Sequence, residues 1–286
     1  MTSTPNSTVH EGKIAMSGQH TRMPSVFIGH GTPMNALADN QFTRGWERIG
    51  QEIGRPRAIL VISAHWCTRG TGVTAMEKPP TIHDFGGFPK ALFDMQYPAP
   101  GDPAIAERVK QALAPLPVVL DQSQWGFDHG TWSVLCKAYP KADIPVLQLS
   151  IDMTQGPRFH FELGKRLRPL RDEGILIVGT GNVVHNLSVY RRYEDDFAYD
   201  WATRFNDYIR EALLAHRFED IVNYESQGEA AQLSVPTPDH YYPLLYVAGA
   251  AGDDPATVEI DGVYQASMSM LSVSFGLKTL PKPQAA

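Results

Sequence analysis

The chain of 286 residues is 43% hydrophobic and 20% charged, which excludes a wholly disordered, collagen-like or coiled-coil protein. Its net charge of −6, without any basic run, argues against a nucleic-acid partner, and no apolar run approaches the roughly 20 residues that span a membrane. Two cysteines, Cys67 and Cys136, are too few for a disulfide framework, which favours a cytoplasmic location.

The two ends of the chain differ in composition from its middle. Residues 1–22 are polar and lack the apolar centre of a signal peptide, so we predict a disordered tail there. Residues 281–286 contain two prolines and are predicted to form a flexible tail. Because no low-complexity linker and no internal repeat divides residues 23–280, we predict a single domain over that range.

Short apolar runs rich in Val and Ile predict strands that are buried on both faces, because the runs are continuous rather than alternating. They lie at 26–28, 58–63, 118–120, 146–151 and 175–178. Helical patterns lie between or after them, at 102–116, 156–170 and 199–216. This alternation predicts an α/β fold with a mixed, mostly parallel central sheet and helices on both faces. Apolar residues within 257–276 predict further strands that would fit an antiparallel edge.

Histidines follow several of the predicted strands. His30, His65 and His185 each come directly or shortly after one, and the ligand sites of open parallel sheets lie at the carboxyl ends of strands. His129 and His240 lie in segments rich in turn residues. Imidazole is the commonest metal-binding side chain, so the pattern predicts a histidine metal site. The alternative is that each histidine is an ordinary hydrogen-bonded loop residue.

The other histidines and motifs indicate no competing site. We predict surface positions for four histidines, His10, His20, His160 and His216. Gly179-Thr180-Gly181 begins like a dinucleotide-binding loop, but Val184 stands where the third glycine belongs. The chain has no phosphate-binding loop and no Gly-x-Ser-x-Gly motif. Cys67 could serve as a thiol nucleophile, although packing is the commoner role of such a cysteine.

Seven segments, taken in order, carry a resemblance to a known family. They span residues 27–33, 63–66, 81–89, 97–101, 126–132, 181–186 and 238–240. From about residue 24 to residue 277, the chain resembles the class III extradiol ring-cleaving dioxygenases, in the branch of the 4,5-DOPA extradiol dioxygenases. The resemblance implies one α/β catalytic domain that uses Fe(II) and O2 to open a catechol ring beside its diol, giving a muconic semialdehyde.

The resemblance also implies roles for the five histidines. His30, His65 and His240 match the metal ligands of the family. His185 matches its acid/base catalyst, which in zinc-containing relatives can count as a fourth ligand. His129 matches a histidine near the oxygen and the substrate. Relatives that cleave protocatechuate have a glutamate as third ligand, so Asp239 is an alternative to His240, which we prefer.

Aromatic residues near these histidines are candidates for substrate contacts. In segment 82–88, His83, Phe85 and Phe88 are predicted to contact an aromatic substrate, with a tight turn and core phenylalanines as the alternative. Tyr241 is predicted to form part of the pocket wall, with core packing as the alternative.

Two other functions compete with ring cleavage. Three histidines also describe a catalytic zinc site, so a zinc-dependent hydrolase is one alternative. A non-catalytic interaction module on the same fold is the other. The complete set of five histidines favours the dioxygenase, with Fe(II) expected for catalysis, Zn(II) as an occupant of purified protein, and a small aromatic diol as the substrate. The identity of the catechol and the oligomeric state stay open.

Overall fold

The computed structural model describes residues 22–277 except Tyr193 and Asp195. The predicted tails 1–22 and 281–286 lie outside the described residues, apart from Arg22, and so do His10 and His20. None of the helices in the described range combines the length and the apolar character that a membrane span requires.

The strands form one large sheet and one small hairpin. Their bounds are β1 Ser25–Gly29, β2 Ala58–Thr68, β3 Thr71–Thr74, β4 Val118–Asp121, β5 Val146–Asp152, β6 Ile175–Gly181, β7 Ala256–Ile260, β8 Val263–Tyr264, β9 Met268–Ser269 and β10 Ser272–Phe275. The order in the large sheet is β4-β3-β5-β2-β6-β1-β10-β7, and β8 pairs with β9. The four neighbours β5, β2, β6 and β1 are mutually parallel.

Antiparallel pairings lie on both sides of this parallel centre. Strand β10 runs antiparallel to β1, and β7 runs antiparallel to β10. At the other side, β3 runs antiparallel to β5 and pairs with β4 in parallel. Every residue of β1, β5 and β6 is buried, as expected for continuous apolar runs covered on both faces. The predicted mixed, mostly parallel sheet and its antiparallel edge are confirmed.

Helices cover both faces of this sheet. They are α1 Gln41–Ile53, α2 Lys90–Phe93, α3 Pro103–Leu113, α4 His129–Ala138, α5 Pro157–Leu167, α6 Asp200–Leu214, α7 Phe218–Val222, α8 Glu229–Ser234 and α9 Tyr242–Ala251. On one face, α1 and α4 bury Trp46 and Trp132 against the sheet. On the other, α3, α5, α6 and α9 pack into a second cluster. The three predicted helices correspond to α3, α5 and α6, and α3 is capped by the Asp102 side chain.

Helices α5 and α9 meet backbone to backbone. A Cβ atom at Gly164 would lie 2.2 Å from the carbonyl oxygen of Tyr246, and one at Gly249 would lie 2.1 Å from that of Phe161. Every residue of α9 is buried. Because α9 begins two residues after His240, this packing holds that histidine against the rest of the domain.

His160 was predicted to lie at the surface, and this prediction is wrong. Its side chain in α5 is fully buried, with Nδ1 2.9 Å from the hydroxyl oxygen of Tyr246. Burial lowers the pKa of His160 to about 4, so the ring is neutral at pH 7. Its position three, four and seven residues before Leu163, Gly164 and Leu167 places it on the buried stripe of the helix. His216 is half-buried.

Candidate active site

His30 is fixed where strand β1 ends. Its backbone N–H donates to the carbonyl oxygen of Gly181 in β6, at 3.1 Å, and its carbonyl oxygen accepts from Nδ2 of Asn35, also at 3.1 Å. The next residue, Gly31, has φ +62°, a conformation that glycine adopts without strain. The imidazole of His30 is buried, so both its backbone and its side chain are held by the surrounding chain.

His65 lies at an irregularity of strand β2. The pairing of β2 with β5 shifts register between Ile62 and Cys67, and such irregularities re-aim side chains beside active sites. Just before it, Ser63 Oγ donates to Oδ1 of the buried Asp128 at 2.7 Å. The shift brings Nε2 of His65 to 3.2 Å from Nε2 of His30.

His129 is the first residue of α4 and is held by Asp84. The Asp84 carboxylate accepts from the His129 backbone N–H at 2.8 Å and lies 3.0 Å from its Nδ1. The same carboxylate is 3.5 Å from Nδ1 of His65. Burial alone would raise the pKa of Asp84, but the hydrogen bonds from His129 lower it below its usual value. Asp84 is therefore an anion that orients two histidines, a role that no pattern in the sequence singled out.

His240 and His185 enter from the other side of the cluster. His240 ends the short 3-10 turn Pro238–His240, and its Nδ1 is hydrogen-bonded to the Asp239 carboxylate. Burial raises the pKa of Asp239, but this bond, the attraction of His240 and further hydrogen bonds together bring it below its usual value. The carbonyl oxygen of His240 accepts from the backbone N–H of Asn182 at 2.9 Å. The ring of His185 stacks on that of His240, with centroids 3.5 Å apart.

The five predicted histidines lie together. In the described part of the chain, ring nitrogens of His30, His65 and His129 all lie within 4.8 Å of one another. The ring centroid of His240 is 5.3 Å from that of His30 and 5.0 Å from that of His65. The tightest group of nitrogens thus includes His129, whereas the family resemblance implied His240 as the third ligand.

The protonation state of the cluster suits a metal ion. Burial, and then the neighbouring histidines, hold the pKa of His30 and of His65 well below the usual value. The same causes lower the pKa of His185 to about 2. Nδ1 of His30 is buried without a hydrogen-bond partner among the described residues, which is uncommon in folded proteins. The neutral rings of His30 and His65, next to two histidines that carboxylates hold in place, fit a first-row divalent cation.

A cavity of about 390 Å³ opens onto the histidines. It is lined by the following residues: His30, Gly31, Thr32, Pro33, His65, Phe85, Phe88, His129, His185, Leu187, Tyr190, Arg192, His240 and Met268. Its volume lies within the range of pockets for small organic ligands. The sequence patterns did not indicate that Leu187, Tyr190, Arg192 or Met268 lines a cavity, because no periodicity in their short segments shows which side chain faces it.

The predicted aromatic contacts differ in their placement. Phe85 and Phe88 line the cavity, with ring centroids 5.3 Å apart. The centroid of the Phe85 ring also lies 5.5 Å from that of His129. His83 is not among the lining residues. Its Nε2 is 3.0 Å from the Met95 carbonyl oxygen. The centroid of its ring lies 5.8 Å from that of Phe85, so His83 packs against a residue of the cavity wall.

Tyr241 does not form part of the cavity wall, contrary to the prediction. Its side chain is fully buried in the core, where its hydroxyl donates to the carbonyl oxygen of Ile221 at 2.8 Å. Its ring lies 4.2 Å from that of Tyr224. Neighbouring residues of a helical turn point in different directions, so Tyr241 faces the core while His240 faces the cavity. The core-packing alternative is correct.

Comparisons with known proteins agree with this geometry. Residues 22–277 match the family described as the catalytic LigB subunit of aromatic ring-opening dioxygenase. The chain is 56% identical to a 4,5-DOPA dioxygenase extradiol of Escherichia coli K12, covering 90% of this chain and 96% of that one. It is 39% identical to a protein of the same name from Beta vulgaris, covering 84% and 91%.

A solved structure is also similar. It is a crystal structure of an uncharacterized protein from Escherichia coli K12, with a TM-score of 0.79 and 51% identity, covering 89% of this chain and 100% of that one. The chain therefore belongs to the family of the catalytic LigB subunit of aromatic ring-opening dioxygenases, together with the 4,5-DOPA extradiol dioxygenases that its sequence motifs resemble.

Proposed function

We propose that the protein opens the ring of a DOPA-like catechol beside its diol, with O2 as co-substrate and Fe(II) as the working metal. One observation carries the proposal: five imidazoles meet at one end of a cavity that has Phe85 and Phe88 in its wall. The names of the relatives in Escherichia coli and Beta vulgaris support a substrate of the DOPA type.

We assign the metal to His30, His65 and His240, with His185 beside them. Three neutral imidazoles would leave a divalent ion with its full charge and with open positions. When bound, the ion would hold the catechol oxygens and O2 next to each other and pass electrons between them. Zn(II) binds nitrogen ligands at least as well as Fe(II), so zinc is expected in purified protein, but reaction with O2 requires a redox-active ion.

His185 is suited to move the substrate's phenolic proton. It lines the cavity and stays neutral at pH 7, since its pKa is lowered to about 2. A ring nitrogen of His185 therefore has a lone pair for the proton of a catechol hydroxyl. Because so low a pKa makes the ring a weak base, the transfer would require a hydroxyl acidified by a bound metal ion. Once protonated, the same ring is a strong acid, so it can return the proton later in the cycle.

His129 is suited to stabilise negative charge that develops on oxygen. Its Nδ1 is tied to the Asp84 carboxylate, which leaves Nε2 for the cavity. Donation from Nε2 to an oxygen anion would place positive charge on the ring, and the Asp84 carboxylate beside Nδ1 is positioned to compensate that charge. Fixed donors of this kind can supply a large part of the rate acceleration.

Oxygen uptake by the metal-loaded protein tests the proposal. Apoprotein loaded with one Fe(II) without air, then given a catechol and O2, should consume O2 and catechol one to one. A new visible absorbance from the ring-opened semialdehyde should appear at the same rate. Apoprotein and the Zn(II)-loaded form are the controls and should be inactive. An Fe(II)-loaded protein that consumes no O2 with any catechol would contradict ring cleavage, and ester hydrolysis by the zinc form would then favour a hydrolase.

A further inference from the structure

Arg192 stands out among the residues that line the cavity. Of the lining residues in the described part of the chain, it is the only one whose side chain is charged at every working pH. It lies seven residues after His185, in the segment that also contributes Leu187 and Tyr190 to the wall. Arg192 is exposed at the cavity surface, where a ligand can reach it.

The neighbouring arginine is used differently. Arg191 donates from Nε to the hydroxyl oxygen of Tyr199 at 3.1 Å and from an amino group to Glu194, also at 3.1 Å. Its guanidinium also lies over the ring of Phe197, 4.5 Å from the centroid. Among the described residues, which exclude Tyr193 and Asp195, the guanidinium of Arg192 has no ion-pair partner. Of two adjacent cations, one braces the loop and the other is available to the cavity.

Among the other described residues of the cavity wall, no side chain carries a permanent positive charge. The carboxylates of Asp84 and Asp239 lie behind His129 and His240 and are not among the lining residues. Phe85, Phe88 and Met268 offer only apolar surface. A catechol whose hydroxyl groups face the histidines would direct its ring substituent along these walls. A guanidinium matches a carboxylate through two parallel hydrogen bonds.

We propose that Arg192 binds a carboxylate on the side chain of the substrate, so that the protein selects catechols that carry such a group over neutral or cationic ones. This rests on the proposed function, because it places the catechol hydroxyls at the histidine cluster. Arg192 is thus a specificity-determining residue. It takes no part in the proton transfers assigned to His185.

Binding without turnover tests Arg192 separately from the reaction. Two probes differ only in a carboxylate: 3-(3,4-dihydroxyphenyl)propionate and 4-ethylcatechol. Their Kd values would be measured by calorimetry, without air, on full-length protein loaded with Zn(II). We expect the wild type to bind the acid about tenfold more tightly than 4-ethylcatechol, the usual scale of one charge-assisted pair. In Arg192→Gln the two Kd values should become nearly equal, with the Kd of 4-ethylcatechol unchanged.

Arg191→Gln is the matched control and should keep the wild-type preference. Arg192→Glu should disfavour the acid further and bind dopamine, whose side chain is cationic, better than the wild type does. An unchanged preference in Arg192→Gln, or an equal loss in Arg191→Gln, would overturn the proposal. A wild type that binds 4-ethylcatechol but does not prefer the acid would overturn it too. Failure to bind any catechol would instead count against the proposed function itself.

Discussion

The imidazole rings of His185 and His240 lie face to face, with centroids 3.5 Å apart and planes 5° from parallel. The two rings differ in their partners. His240 is braced through Nδ1 by Asp239, as a metal-ligating histidine commonly is, whereas His185 lies at the cavity wall. Under the proposed assignment, His240 is the braced ligand and His185 is the neighbour that exchanges protons with the substrate.

Replacing His185 by glutamine should reduce turnover far more than metal binding. General acid–base catalysis contributes about 10²- to 10⁴-fold to a rate, so oxygen uptake should fall by a factor in that range. Metal content, measured by elemental analysis of the Fe(II)-loaded protein, should stay near one ion per chain. Wild-type turnover would show that His185 is not the acid/base group, and complete loss of metal would show that it is a ligand.

Replacing His30 by glutamine should remove the metal and the activity together. Its ring is buried at the centre of the cluster, and few amide side chains bind Fe(II) or Zn(II) as imidazole does. His83→Gln is the control, because His83 is bonded to the Met95 carbonyl oxygen outside the cavity lining. Elemental analysis and oxygen uptake should both show a loss in the first variant alone. Retention of a full metal complement by His30→Gln would remove His30 from the ligand set.

Replacing Asp84 by asparagine should slow the reaction without unfolding the protein. The Asp84 carboxylate holds the backbone and the ring of His129 in place, and an amide lacks its negative charge. Partners of this kind are worth about 10- to 100-fold in activity or metal affinity. Asp94→Asn is the control, since Asp94 forms an exposed pair with Lys90. The kcat and its pH profile should change in Asp84→Asn and stay as in the wild type in Asp94→Asn. An unaltered pH profile in both would show that Asp84 has only a packing role.

His160 should make the domain less stable in acid. In the folded state its pKa is lowered to about 4, whereas an unfolded histidine titrates near pH 6.5. Between these values the unfolded chain binds more protons, so the free energy of unfolding falls as the pH falls through this window. Above about pH 6.5 the effect vanishes.

The variant His160→Gln should lose this part of the pH dependence. The free energy of unfolding of each metal-free protein would be measured in urea at pH 7 and at pH 4. The decrease between the two pH values should be smaller in His160→Gln than in the wild type by up to about 3 kcal/mol. Metal-free protein is used because protonation of the cluster histidines would otherwise release the ion. An equal acid-induced drop in both proteins would show that His160 does not contribute.

The sheet could be predicted because burial on both faces produces continuous apolar runs, which made β5 and β6 recognisable from their residues alone. His30 and His65 could be placed because they follow such runs. Arg192 could not, since no periodicity marks which residue of a loop faces a cavity. Tyr241 was misplaced because adjacent residues of a turn can face opposite sides. His160 was missed although its spacing to Leu163 and Leu167 places it on the buried stripe.

Gly181 lies so close to the backbone of His240 that no side chain fits at this position. A Cβ atom there would lie 2.2 Å from the carbonyl oxygen of His240, and the next residue, Asn182, binds that same oxygen through its N–H. Even alanine would push the turn that carries His240 away from strand β6. In a mutational scan, substitutions at position 181 should therefore abolish activity as substitutions of a metal ligand do, although glycine has no side chain. The cause would be the short distance between the backbone of β6 and the backbone of the His240 turn.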